Sequence, residues 1–397
     1  EYIYSLYSHQ KGRAYMTVTV NDILHTAKMD TAFILAGSRG INRKVCRIAT
    51  IEKPYTDHPD YCNRVALPGD IYVSKCYAYQ GNSNKLYEEL LFMQRTGASG
   101  LMTYNEAMPL LEKNIIEAAD KFGIPVILLD DNYGLTELIY NVTDLIIKDK
   151  LSTLHSASII RILKDNPCEE DVLNTLKDIH PSMDEYLQII FFRLNDSASI
   201  NSFRINADDP ILPVYGGYIY ILSGSSKYEL AEKQTRIIKL LRRFAPENNS
   251  GFGDIHLRKS ELRQAILEAL YAASYGSLIK KNMIKYDSLG MYAFLTIPEN
   301  RPLLKHYRSV FESAINKCDK DNKLDLHNLT KLWILSGGDF TYVSKNMYIS
   351  ETTVRYRLNK LHDSLNLHNA NDFYTGVKLA VYSEHILNDD LLKSIFS

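Results

Sequence analysis

The chain has 397 residues, of which 45% are hydrophobic and 23% are charged. Because this length exceeds one ordinary hydrophobic core, two or three domains are expected. The composition excludes a disordered or fibrous protein. The formal net charge of −1 argues against a surface that binds nucleic acid everywhere, although one module can still carry a local basic face.

The cysteine content predicts neither a metal site nor a structural disulfide. There are five cysteines, and no CxxC pair occurs among them. Free thiols fit a reducing compartment, so we expect a cytoplasmic protein without a metal or another cofactor. No run approaches the ~20 apolar residues that a membrane helix needs, so no membrane contact is expected. We interpret residues 1–15 as an upstream extension or a cloning remnant.

Residues 16–133 alternate short apolar runs with amphipathic ones, which predicts a parallel α/β domain. The strands are expected in GDIYVSK, ASGLMTY and IPVILLD, with helices between them. Gly97 and Gly123 fall where those helices should stop. Residues 134–165 then carry a helical period, which fits one long helix or two shorter helices broken near Asp149.

The remainder of the chain is expected to form an α+β domain and then an all-α domain. We assign residues 134–184 to linker helices and residues 185–301 to the α+β domain. Within that domain, residues 278–297 are interpreted as a hairpin that turns near residues 288–290. A connecting helix is expected over residues 302–324, and residues 325–397 are entirely helical in period.

The sequence ISETTVRYRLNKL, residues 349–361, has the pattern of a DNA recognition helix. Val354, Leu358, Leu361 and Leu365 recur at helical spacing and should face inward. The candidate DNA-binding side chains are then those that point outward or flank this stripe: Thr352, Thr353, Arg355, Tyr356, Arg357, Asn359 and Lys360. Ser350 should cap this helix, and Asp339 should cap the one before it. A surface helix with a few charges fits this local pattern equally well.

The string TVRYRL (residues 353–358) resembles the C-terminal helix-turn-helix of the PucR/CdaR family of bacterial transcription regulators. A basic triplet is usual just before it in that family, whereas residues 350–352 are Ser-Glu-Thr. Residues 18–24, 33–54 and 66–79 resemble the PucR-type sensor domain, and residues 251–270 and 286–295 resemble the degenerate GGDEF-like middle domain of the same family. The resemblance implies a sensor domain, a non-catalytic middle domain and a DNA-binding domain, in that order.

An enzyme is the main alternative, because SGGDF at residues 336–340 looks like the GGDEF string of diguanylate cyclases. There the string turns between two strands, whereas helical patterns flank it here, and Phe340 replaces the glutamate. We therefore expect no enzymatic activity and no catalytic residues. A metabolite-binding scaffold that does not bind DNA is a third possibility.

The expected function is a cytoplasmic, ligand-responsive transcription regulator that works as a homodimer or a higher even oligomer. The small-molecule effector should bind where the parallel strands of the sensor domain end. The candidate ligand-binding residues there are Ser74, Lys75, Tyr77, Tyr104, Asp130 and Asp131. Their chemistry fits a planar polar ligand, as in purine catabolism, or an anionic one. Alternatively, Lys75 pairs with Asp130 and the tyrosines only pack.

Overall fold

The computed structural model describes residues 18–25, 29, 31–51, 53–80, 82–165, 167–194, 209–245, 248–319 and 325–396. The extension assigned to residues 1–15 lies outside them. The chain divides into two compact units, one ending at Leu154 and the other beginning at His155.

The first unit is an α/β domain built on a five-stranded sheet. Its strands are β1 Phe33–Ala36, β2 Arg47–Thr50, β3 Asp70–Val73, β4 Gly100–Tyr104 and β5 Val126–Leu129. Its helices are α1 Val20–Leu24, α2 Pro59–Val65, α3 Ser83–Thr96 and α4 Lys113–Phe122, followed by the first part of α5 Leu135–Asp165. The predicted alternation of strands and helices is confirmed.

The strand order is β1-β5-β4-β3-β2, with β2 to β5 parallel and β1 antiparallel at one edge. Successive residues of the strands point to opposite faces. Helices α3 and α4 cover one face, which includes Tyr72 and Leu101. Helix α1 and the start of α5 cover the other face, which includes Ile71 and Met102. Both faces are therefore buried, as a parallel sheet requires.

The helix stops predicted in this unit are confirmed. Gly97 follows α3 with φ 73°, and Gly123 follows α4 with φ 60°, both in the left-handed region that favours glycine. Helix α5 runs without interruption for 31 residues, so the alternative of two helices broken near Asp149 is wrong.

The segment between β1 and β2 closes the amino-terminal edge of the sheet. Arg43 donates to the carbonyl of Ala98 at 2.8 Å and to that of Phe122 at 3.2 Å. Ser99 donates to the carbonyl of Lys44. These bonds cover the amino ends of the parallel strands, so any site at a strand end has to lie at the carboxyl edge.

The second unit contains another five-stranded sheet and most of the helices. Its strands are β6 Tyr186–Phe192, β7 Ile211–Val214, β8 Gly217–Gly224, β9 Ser250–Phe252 and β10 Met283–Lys285, in the order β10-β9-β6-β8-β7. Its helices are the end of α5, α6 Glu169–Ile179, α7 Lys227–Phe244, α8 Leu262–Ile279, α9 Met291–Leu295, α10 Arg301–Cys318, α11 Leu326–Leu335, α12 Phe340–Met347, α13 Glu351–Leu365, α14 Ala370–Asn388 and α15 Asp390–Phe396.

The hairpin expected at residues 278–297 is wrong. Strand β10 pairs in parallel with β9, and the chain then makes a 3₁₀ turn at Tyr286–Ser288 and enters α9. Both Tyr292 and Leu295 are buried. Because they are three positions apart, they lie on the same face of α9, which packs into the core. One continuous hydrophobic core extends through this unit from Ile159 to Ile395.

The glycine-rich stretch at residues 251–253 lets β9 approach α8 closely. A Cβ at Gly251 would lie 2.0 Å from the carbonyl oxygen of Ala269, and one at Gly253 would lie 2.7 Å from that of Ala265. Just beyond, His256 contacts Glu268 at 2.9 Å through Nε2 and Glu261 at 3.0 Å through Nδ1. Hydrogen bonds to Glu268 and Glu261 raise the pKa of His256 to about 9.

The charged His256 cluster should make the stability of this unit depend on pH. Since the pKa rises on folding, the contribution is complete below about pH 6.5 and is lost as the pH rises towards 9. The loss should be at most roughly 3 kcal/mol. Urea unfolding between pH 6 and pH 9.5, followed by the fluorescence of Trp333, measures it. His256→Gln should flatten this dependence, whereas His306→Gln at an exposed position should leave it unchanged; equal slopes in both variants would contradict the assignment.

Candidate functional site

Helices α12 and α13 form a pair joined by a short turn. Asp339 Oδ1 accepts from the backbone N–H groups of Thr341 at 2.8 Å and Tyr342 at 3.1 Å, which caps α12. Ser350 Oγ accepts from the N–H of Thr353 at 3.1 Å, which caps α13. Between them Tyr348 takes a left-handed conformation with φ 55°. Both predicted caps are present, so local sequence sets where each helix begins.

The apolar stripe of α13 fixes how this helix is rotated about its axis. Val354, Leu358 and Leu361 are buried, and Leu365 is half-buried against the same core. Val343 of α12 is fully buried beside them. With this stripe inward, the opposite side of α13 has to face solvent.

The side chains predicted to contact DNA lie on or beside that outer surface. Thr352, Arg355, Tyr356, Asn359 and Lys360 are exposed, and Tyr356 retains 62% of its accessible surface. Thr353 and Arg357 are half-buried at the flanks. All seven therefore belong to one helix whose polar surface is open to a partner.

Two contacts between α12 and α13 were not expected from the sequence. The guanidinium carbon of Arg355 lies 3.9 Å from the centre of the Phe340 ring. Such a cation–π contact contributes ~0.5–1 kcal/mol at an exposed site and restrains a flexible side chain. Thr341 donates to the carboxylate of Glu351 at 2.7 Å. The acid that replaces the usual basic residue is thus engaged with the neighbouring helix.

The SGGDF segment lies between helices α11 and α12, as its flanking patterns predict. Gly337 and Gly338 have φ values of 72° and 93°, Asp339 is the cap of α12, and Phe340 packs near Trp333 with a centroid distance of 6.2 Å. A nucleotide-cyclase string needs a turn between two strands, and this segment has helix on both sides.

The second candidate site is the carboxyl edge of the first sheet. Because β3, β4 and β5 are parallel neighbours, Ser74, Tyr104 and Asp130 lie at adjacent strand ends, as predicted. The structure groups Lys75 and Tyr77 around Glu106, with Tyr104 beside Lys75. Lys75 Nζ lies 3.7 Å from Glu106 Oε1 and 5.2 Å from the centre of the Tyr104 ring, and Tyr77 donates to Glu106 Oε2.

The partner of Lys75 is Glu106 and not Asp130. Asp130 Oδ1 instead accepts from the backbone N–H of Asn132 at 2.9 Å and from its side-chain amide at 2.7 Å. Asp131 is exposed, and Ser74 Oγ accepts locally from the N–H of Cys76 at 3.0 Å. Sequence analysis missed Glu106, although its position two residues after β4 places it at the same edge.

Tyr104 does not present an open face on which a ligand could stack. Its residue is only 1% exposed, and its ring belongs to the core beneath α5. Its hydroxyl is buried, and no hydrogen-bond partner for it occurs among the described residues. Burial raises the pKa of this phenol. Lys75 thus covers a buried tyrosine, and the Tyr104 ring offers no open face to a ligand.

Comparison with known proteins identifies the first unit. Residues 22–146 match the model of the purine catabolism regulatory protein-like family, PucR. The matched stretch is about a third of the chain and extends from α1 into α5. These residues are a PucR family domain, which supports a regulator of the PucR type. No curated protein matches the chain.

Two further features bear on the class of protein. Within the described residues, no helix is both long and apolar enough to span a membrane. The same part of the chain brings together no group of three or more His, Cys, Asp or Glu side chains suited to a metal ion.

The burial of α13 gives a direct test of its orientation. Leu358→Ala removes a side chain that is buried against the core and should lower the free energy of unfolding of this unit by about 2–5 kcal/mol. Asn359→Ala, one position along the helix and exposed, should change it by less than ~0.5 kcal/mol. Urea unfolding monitored at Trp333 compares them. Equal losses at the two positions would mean that α13 is rotated differently.

Proposed function

We propose that this protein is a ligand-responsive, DNA-binding transcriptional regulator. In this proposal the PucR domain binds a small metabolite related to purine catabolism, and the pair of α12 and α13 binds operator DNA as a helix-turn-helix. The observation that carries the DNA-binding part is the exposed polar surface of α13, with Arg355 held against Phe340 at 3.9 Å. The family description of the first unit supports the regulatory part.

The chemistry of α13 fits a helix in the major groove. Thr352, Tyr356 and Asn359 share one outward face, where hydroxyl and amide groups can read base edges. Arg355 and Lys360 are exposed cations beside that face and are suited to phosphates. The capped start of α13 adds free N–H groups that favour an anion. Glu351 is bonded to Thr341, so its charge is partly satisfied within the protein.

The proposal also covers the middle of the chain. We assign residues 185–301 to a GGDEF-like domain that has lost catalysis and transmits the signal or supports dimerisation. The protein would act in the cytoplasm, where its five cysteines are expected as free thiols. The position of SGGDF between two helices is the observation against a nucleotide-cyclase function for that string.

The DNA-binding surface is tested by two single substitutions with different expected effects. Arg355→Ala should weaken binding to every sequence and reduce the salt dependence by the equivalent of ~1 phosphate contact. Asn359→Ala should instead relax discrimination at one base position, with a loss of ~1–3 kcal/mol. Fluorescence anisotropy on a duplex selected from a random pool, at several salt concentrations, measures both.

The control substitution lies on helix α7, which also carries several Lys and Arg side chains. Arg236 is exposed on α7 among several cations, so Arg236→Ala should leave affinity and salt dependence unchanged. Arg355→Lys should fall between the wild type and the alanine variant because it keeps the charge. If the double Arg355/Arg357 alanine variant binds as the wild type does, α13 is not the recognition helix. Complete absence of DNA binding in the wild type would favour the metabolite-binding scaffold.

A dimer is expected because one helix pair buries little surface on DNA. Helix α5 supplies a candidate contact, since Tyr140, Ile147, Leu151 and Leu154 are all exposed. Their spacings of seven, four and three residues follow the repeat of a two-stranded coiled coil. A second copy of α5 would bury this stripe against itself.

We expect light scattering to give twice the mass of the chain, and Ile147→Gln with Leu151→Gln to shift the protein towards the monomer. Lys148→Gln, to one side of the stripe, should leave the dimer intact. A dimer that persists unchanged in the double variant would assign the contact to another surface. A monomeric wild type, with and without DNA, would exclude the assembly.

A further inference from the structure

A cleft in the PucR domain, beside the edge strand β2, has the features of a small-molecule site. It has a volume of about 120 Å³ and lies between the end of β2, the short helix α2 and helix α3. Strand β2 is the edge strand, and its residues are at most half-buried. The cleft therefore opens where the sheet is least covered.

Glu89 forms the floor of this cleft, and its position in α3 is unusual for an acid. The residue is 2% exposed and lies between the core residues Leu86, Leu90 and Met93 on the buried side of the helix. Burial of a carboxylate costs free energy unless its oxygens are hydrogen-bonded or paired with a cation. Burial also raises the pKa of the Glu89 carboxyl.

Within the described residues, hydrogen bonds reach only one of the two carboxylate oxygens of Glu89, which is Oε2. Oε2 accepts from the backbone N–H of Tyr55 and from the hydroxyl of Tyr79, both at 2.9 Å. Among the described residues, none donates to Oε1 or forms an ion pair with this carboxylate. Because two hydrogen bonds hold Oε2, the position of Oε1 is also fixed. Oε1 can therefore accept a hydrogen bond from a molecule in the cleft.

The walls of the cleft combine aromatic side chains with polar ones, and Lys53 lies 5.4 Å from the centre of the Tyr61 ring. Tyr61 of α2 stands at the mouth, 39% exposed, and Phe92 of α3 and Tyr72 of β3 lie deeper. Phe92 is fixed in place by Tyr55, whose ring stacks on it with centroids 4.5 Å apart. The exposed face of Tyr61 can accept a planar molecule. Because a closed cavity of roughly 150 Å³ holds a benzene molecule, a cleft of about 120 Å³ holds at most one ring, with any second ring at its open mouth, and not a nucleotide.

We propose that this cleft is the effector site of the PucR domain, and that Glu89 Oε1 accepts an N–H from a planar nitrogen heterocycle held against Tyr61 at the mouth of the cleft. The inference rests on the proposed function in that it takes this domain to be the sensor. The carboxyl edge is the weaker site, because Lys75 there already faces Glu106 and Tyr104 is buried. In the cleft, by contrast, a buried acceptor is still available.

The test is calorimetric titration of the full chain with hypoxanthine, which is planar and carries N–H donors. Benzoate, planar but without an N–H, should not bind the wild type. Glu89→Gln keeps an oxygen for Tyr55 and Tyr79 but presents a donor to the cleft, so hypoxanthine affinity should fall at least tenfold. Tyr61→Ala, at an exposed position, should lower the affinity severalfold without unfolding the protein. Glu88→Gln, the adjacent acid of α3, should bind as the wild type does.

The outcomes separate this inference from the function on which it rests. Unchanged affinity in both Glu89→Gln and Tyr61→Ala would overturn the site, and loss in Lys75→Ala alone would assign binding to the sheet edge. If the wild type binds none of hypoxanthine, adenine and cytosine, the ligand class is wrong. DNA binding is measured separately without ligand and should be unaffected by Glu89→Gln. If the wild type bound hypoxanthine in the cleft but did not bind DNA, the proposed regulatory function would be wrong and the proposed ligand site would stand.

Discussion

Burial of both faces of the first sheet is the constraint on which the PucR domain depends. Four parallel strands pair side by side, and α3, α4, α1 and α5 cover their two faces. Such a sheet leaves its polar backbone ends and its edges as the places where functional side chains can meet a ligand. The loop from β1 to β2 occupies the amino-terminal edge, so the carboxyl edge and the β2 edge remain.

These two places differ in how well their polar groups are satisfied. At the carboxyl edge, Lys75, Tyr77 and Glu106 form a closed set of contacts, and Asp130 bonds within its own turn. At the β2 edge, the short α2 leaves a gap, and a carboxylate buried in α3 keeps one oxygen available. A binding site needs polar groups that are fixed in position and still available for a hydrogen bond. The β2 edge has such a group in Glu89 Oε1.

The same reasoning applies to the C-terminal helices. The stripe formed by Val354, Leu358 and Leu361 sets the rotation of α13, and so decides which polar side chains face outward. Contacts from α12 then restrain two flexible side chains of α13. The ring of Phe340 packs against the guanidinium group of Arg355, and Thr341 donates a hydrogen bond to Glu351. If α13 binds DNA as proposed, side chains that are already held in place lose less conformational entropy on binding.

The amino-acid sequence by itself determined the features that depend on neighbours within one or two turns. Helical and strand periods, the caps at Asp339 and Ser350 and the stops at Gly97 and Gly123 involve residues at most five apart, so the residues concerned are visible together in the sequence. The outward set on α13 follows from the same local period. The one local error, the hairpin near Gly290, arose because a short apolar run fits a strand and a helix equally well.

Only the tertiary structure decided which distant side chains meet. Tyr77 and Glu106 are 29 positions apart, and Tyr55 and Glu89 are 34 apart, so no period in the sequence relates them. The partner of Lys75, the contact beneath Arg355 and the cleft at Glu89 all depend on how separate elements pack. Ion pairs and clefts depend on how close residues lie in the folded protein. The number of residues between two positions in the sequence does not give that distance.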